Sequence, residues 1–125
     1  MGDRFVVGFR DTKDTPPVWL YSHWGGRDRL SLIATAIEKA RPRWSDSAYA
    51  TRIAISSIVG DSWSEETGFG ITAGGRDFCE PDTDDVHLVT WSDKTVVAQD
   101  IAGEHDFVNF GFEVFLSACS HEHAV

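Results

Sequence analysis

The chain has 125 residues, of which 20 are acidic and 11 basic, giving a formal charge of −9 at neutral pH. That field opposes a nucleic-acid polymer or an anionic membrane surface as a partner. With 42% hydrophobic and 25% charged residues, the balance is that of a folded chain rather than a disordered one, and the length suits one domain over residues 1–125.

In chain order, Phe5-Val6-Val7-Gly8-Phe9 and Val18-Trp19-Leu20-Tyr21 are short runs of β-formers, and the Asp11 to Pro17 stretch between them has turn chemistry. They predict an opening hairpin. After Gly25-Gly26, the residues Leu30, Ile33, Ala34 and Ile37 recur at the spacing of one helical face, with Asp28 placed to cap the start and Pro42 to enforce the stop. A second helix is predicted from about Ser47 to Val59, capped by Asp46 or Ser47. The texture then changes to short β-runs at Gly68 to Thr72, Val86 to Trp91 and Thr95 to Ala98, with Ser92-Asp93-Lys94 as a tight hairpin between the last two. Strict alternation of Val108, Phe110, Phe112, Val114 and Leu116 with their neighbours predicts a half-buried strand, a helix being the alternative there. Ser117 to Val125 shows no apolar face and is expected to be a mobile tail. The expected fold is α+β, an antiparallel sheet of five to six strands with two helices on one face, in the order ββααββββ.

No run approaches the ~18 apolar residues of a bilayer span, and Met1-Gly2-Asp3-Arg4 is not a basic leader ahead of an apolar stretch. A cytoplasmic location is expected, and with it reduced thiols at Cys79 and Cys119.

The segment Tyr21 to Arg27 leaves a strand, passes through Gly25-Gly26 and opens a helix, where amide hydrogens of a first turn point outward and favour an anion. Arg4 and Arg27 would hold phosphate or carboxylate, and Tyr21 or Trp24 would stack on a planar ring. His23 and Glu66 would bond to hydroxyls, and Phe69 sits between glycines on a strand with one bare face. The plainer reading is that Gly25-Gly26 only turns the chain and that His23 and Trp24 cover a sheet edge. Arg41-Pro42-Arg43-Trp44 reads as structural, with Arg43 against the first helix's C-terminal dipole and Trp44 a plug between helices. Glu80 to Asp85 lacks the glycine and closing glutamate of a calcium loop, and His87, His105, His121 and His123 are scattered, so neither a metal nor a cofactor is expected.

Met1-Gly2-Asp3-Arg4, Leu20-Tyr21-Ser22-His23-Trp24-Gly25-Gly26, Arg43-Trp44 with Asp46, Tyr49-Ala50-Thr51-Arg52-Ile53, and Thr67-Gly68-Phe69-Gly70-Ile71 together resemble a family of small uncharacterised proteins of bacteriophages and bacteria. The shared motifs cover roughly the first 75 residues, and the chain departs from the pattern after Ile71. The resemblance implies a phage or mobile-element origin and brings no activity with it.

The leading expectation is a binding protein that sequesters a small anionic, nucleotide-derived signal, of cyclic-nucleotide or ADP-ribose type, in anti-defence. One alternative is a small phosphodiesterase or hydrolase on the same ligand class, with His23 as general acid/base and Asp3 or Glu66 orienting it. Another is an acidic interaction module that inhibits a host factor. A pocket shared between copies, and so a homo-oligomer, is common at this size.

Overall fold

The first two apolar runs pair as predicted. β1 (Phe5–Arg10) and β2 (Val18–Ser22) are antiparallel, with Val7 opposite Leu20 and Gly8 opposite Trp19. A computed structural model describes residues 4–23, 28–73, 86–99 and 107–123. Among these follow α1 (Arg29–Lys39), α2 (Ser47–Val59), β3 (Phe69–Ala73), β4 (Val86–Thr90), β5 (Thr95–Gln99), β6 (Phe107–Gly111) and α3 (Phe112–His123). The strands form one sheet in the order β3-β2-β1-β4-β5-β6.

This is the α+β class expected, with two corrections. The sheet is mixed rather than antiparallel, because β1 and β4 run parallel, Val7 beside His87 and Phe9 beside Val89. A parallel pair needs a long crossover, and the chain from β2 through α1, α2 and β3 supplies it. The described residues also form three α-helices, not two. The sequence from Phe112 onward carries both periods: Phe112, Phe115, Leu116 and Cys119 share a helical face, and that face enters the core. β6 therefore stops at Gly111, paired with Thr95, and the Phe112 amide donates to the Lys94 carbonyl as α3 begins. The expected tail is helix as far as His123, with Cys119 buried; Cys79 lies outside the described residues.

α1 starts at the predicted place, although the Asp28 side chain makes no capping bond. Its end is set by the 3-10 turn Arg41–Arg43 that contains Pro42. α2 spans the predicted residues, and the Asp46 carboxylate accepts from the Tyr49 amide. Its apolar residues on more than one face are explained by position, since α2 packs on both α1 and β1.

All three helices contribute to the core on one face of the sheet. Phe5, Val7, Phe9, Leu20, Val89 and Val96 meet Ile33, Ile37, Ala54, Ile58, Phe112 and Phe115 there. At one end of this layer the aromatic rings form a chain. Phe9 stacks on Trp91 at 5.9 Å, Trp91 meets Phe112 edge-on at 5.7 Å, and Phe112 meets Trp44 at 4.8 Å. Both indole N–H groups are used: Trp91 donates to Thr51 Oγ1 and Trp44 to the Ile37 carbonyl, each at 2.9 Å. Trp44 thus joins α1 to the start of α3 rather than to α2 alone, the neighbour the sequence suggests. Arg41 lies over its ring and grips Glu38 and Glu113, tying α1 to α3 and holding both carboxyls below their ordinary range.

The opposite face has a smaller cluster of Val6, Trp19 and Val86, with Tyr21 and Leu88 against it. Trp19 lies directly on Gly8. A Cβ there would come within 2.7 Å of the indole, so glycine is what permits the ring to lie flat on the sheet.

Candidate functional site

β1 begins, β2 ends, β3 and β4 begin and α1 begins at the same end of the molecule, as the registers require: Phe5 pairs with Ser22, Ser22 with Phe69, and Val6 with Val86. This end gathers Arg4, Tyr21, His23, Arg29, Glu66 and His87. Asp3 and, at the centre of the predicted loop, Trp24, Gly25, Gly26 and Arg27 lie outside the described residues.

Of the predicted residues that are described, Tyr21 and His23 come together. Two positions apart on an extended chain, they project to the same side. The Tyr21 hydroxyl and His23 Nδ1 are hydrogen-bonded at 3.0 Å, with ring centres 6.3 Å apart. His23 is exposed and its amide donates to the Gly68 carbonyl at 2.9 Å, fastening the end of β2 to the chain that carries Glu66. Glu66 is exposed. Arg4 immediately precedes Phe5, whose ladder partner Ser22 immediately precedes His23. Phe69 goes elsewhere. It sits opposite Ser22 rather than Tyr21 and packs against the helix-side core, so it does not share a face with the Tyr21–His23 pair.

Two residues outside the predicted set belong to this end, on the helix side of the sheet and so across it from the Tyr21–His23 pair. His87 lies on β4 in an inward register position, 1% exposed, and Arg29 from the first turn of α1 donates through Nε to His87 Nε2 at 3.0 Å. Accepting at Nε2 places the neutral ring's proton on Nδ1. Among the described residues Nδ1 meets no acceptor in hydrogen-bond geometry, although the Val97 backbone lies near enough to favour protonation slightly. Burial first, and the Arg29 charge second, push the imidazole down to about 3, so it is neutral at physiological pH. The sequence held one signal for it. In Val86-His87-Leu88-Val89-Thr90-Trp91 the inward positions are His87, Val89 and Trp91, and an ionisable group among buried ones must be paired or neutral.

A hollow of about 490 Å³ lies between α1 and α3, lined by residues such as Ala34, Thr35, Glu38, Leu116 and Cys119, none of them in the predicted set. No three metal-ligating side chains converge among the described residues, and no helix there is long and apolar enough to cross a membrane.

No protein-family model, curated protein or solved structure matches the chain.

Proposed function

We propose that the chain is a binding protein, of phage origin on the motif resemblance, that sequesters a small anionic nucleotide-derived molecule at the end of the sheet where β1 starts and β2 stops. The observation that carries this reading is the Tyr21–His23 pair. Two hydrogen-bonding rings are held together on an exposed strand end, and Arg4 immediately precedes the first residue of the neighbouring strand. Such a set supplies a ring to stack on, donors and acceptors for hydroxyl groups, and cationic charge for phosphate. Gly25, Gly26, Trp24 and Arg27, on the intervening chain, complete the proposed site. The net negative charge does not oppose this, because screening leaves the local arginines to dominate at short range. Binding alone requires no matched acid and base, and His23 then serves as a ligand contact rather than a proton shuttle.

The test is to incubate the protein with a panel of cyclic nucleotides and ADP-ribose derivatives, remove free ligand, and heat the complex to release what it holds. The expected result is recovery of an intact compound. Recovery of a cleaved product turns the reading to the hydrolase, with His23, Glu66 and Asp3 as its catalytic candidates. Recovery of nothing from any compound contradicts both.

A further inference from the structure

β3 forms one edge of the sheet. The His23 amide bonded to the Gly68 carbonyl fixes which of its groups are used. In an antiparallel ladder bonded and non-bonded pairs alternate, so Tyr21–Gly70 and Trp19–Thr72 are bonded pairs, while the N–H and C=O of Phe69 and Ile71 point away from β2. Among the described residues no strand meets them. Exposed edges are ordinarily blunted by lysine, proline or a bulge, and Phe69-Gly70-Ile71-Thr72-Ala73 contains neither lysine nor proline.

The surface beside this edge is apolar and shaped. Trp63 is 54% exposed and Ile71 50%, and between them lies a hollow of about 200 Å³ lined by Val59, Ser62, Trp63, Glu65, Phe69 and Ile71. The stretch of chain that forms it carries charge of one sign. From Ile53 to Ala73 the chain carries Asp61, Glu65 and Glu66 and no lysine, arginine or histidine. A second copy of the chain, itself at −9, is repelled by such a rim, whereas a cationic strand is drawn to it.

We propose that the β3 edge, with Trp63 and Glu65, is a docking site for an extended, lysine- or arginine-bearing peptide segment of a partner protein. The segment adds to the sheet as a further strand, bonded to the outward groups of Phe69 and Ile71. Alternate side chains lie over the hollow, and a cationic one rests against the Trp63 indole and the Glu65 carboxylate. This site is independent of the ligand reading above.

The probe is a short capped peptide of alternating lysine and valine, with its glutamate–valine counterpart as control, added to the full chain while amide hydrogen exchange is followed. The lysine peptide is expected to slow exchange at Phe69 and Ile71, leaving Gly70 and Thr72 unchanged, and the glutamate peptide to do nothing. Glu65→Lys, an exposed substitution, should weaken binding by about tenfold or more. Ile71→Pro removes an N–H that the sheet does not use, and should abolish binding with the fold kept. If that variant unfolds, Glu65→Lys decides alone. Unchanged exchange at Phe69 and Ile71, or equal response to both peptides, overturns the proposal. So does protection of those amides without peptide in a sample sedimenting as a dimer, which would assign the edge to a second copy.

Discussion

The two ends of the central strands are built from different chemistry. Where β1 ends and β4 passes into Trp91, four rings in sequence, Phe9, Trp91, Phe112 and Trp44, fill the space under the helices, and each indole N–H of the group has a fixed acceptor. Where β1 begins and β4 begins, polar and titratable contacts join the buried Phe5 and Val86: Arg29 on His87 on the helix side, and Tyr21 on His23 on the other face. The aromatic end gains stability from dispersion and burial, and its polar atoms serve the packing. The polar end also buries Phe5, Val6 and Val86, and it adds groups that suit recognition. The lesson is that the abundance of tryptophan and phenylalanine speaks for the first end, while the function proposed here belongs to the second.

The largest way to break this contrast is Trp91→Ala. The residue is wholly buried and anchors the ring chain, so its loss should cost about 3–5 kcal/mol in chemical denaturation. A cost under about 1 kcal/mol would mean that the aromatic end does not carry the fold.

A smaller and more specific effect is expected from His87. Its folded-state value of about 3 lies below the ordinary histidine value near 6.5. Between those limits the unfolded chain binds the additional proton, so the stability contributed by the neutral ring is complete above about pH 6.5 and is lost as the pH falls towards 3. The loss should reach a few kcal/mol on the order given by such a shift. Urea denaturation of the wild type and His87→Gln at neutral pH and near pH 4 checks it. The variant should lose less on acidification, and parallel losses would show that His87 does not titrate in this way.

Much of this arrangement could be read from sequence, and the reasons for the failures are physical. α1 and α2 were legible because their apolar residues keep a helical period between a cap and a stop, and β1 and β2 because a turn-rich stretch joins two β-runs. α3 was hidden since Phe112 to Leu116 satisfies the strand period and the helical period together, and what decides is that Gly111 reaches the end of the β5 ladder. The parallel pairing of β1 with β4 was not legible at all, because nothing local records which distant strand lies alongside. The same holds for Arg29 and His87, separated by 58 positions. At the proposed site, the Tyr21–His23 contact follows from alternation along one strand, whereas Phe69 was assigned there by chain proximity to glycines and falls on the other face.

The most direct measurement is ligand-induced thermal stabilisation of the wild type and of the double variant His23→Ala, Arg27→Ala. With the bound nucleotide at about a hundred times its dissociation constant, the wild-type melting temperature should rise by roughly 8 °C or more. The double variant should show no rise while melting within a few degrees of the unliganded wild type. A variant that keeps the full rise, or a wild type that no member of the panel stabilises, contradicts the assignment of the polar end as a nucleotide site.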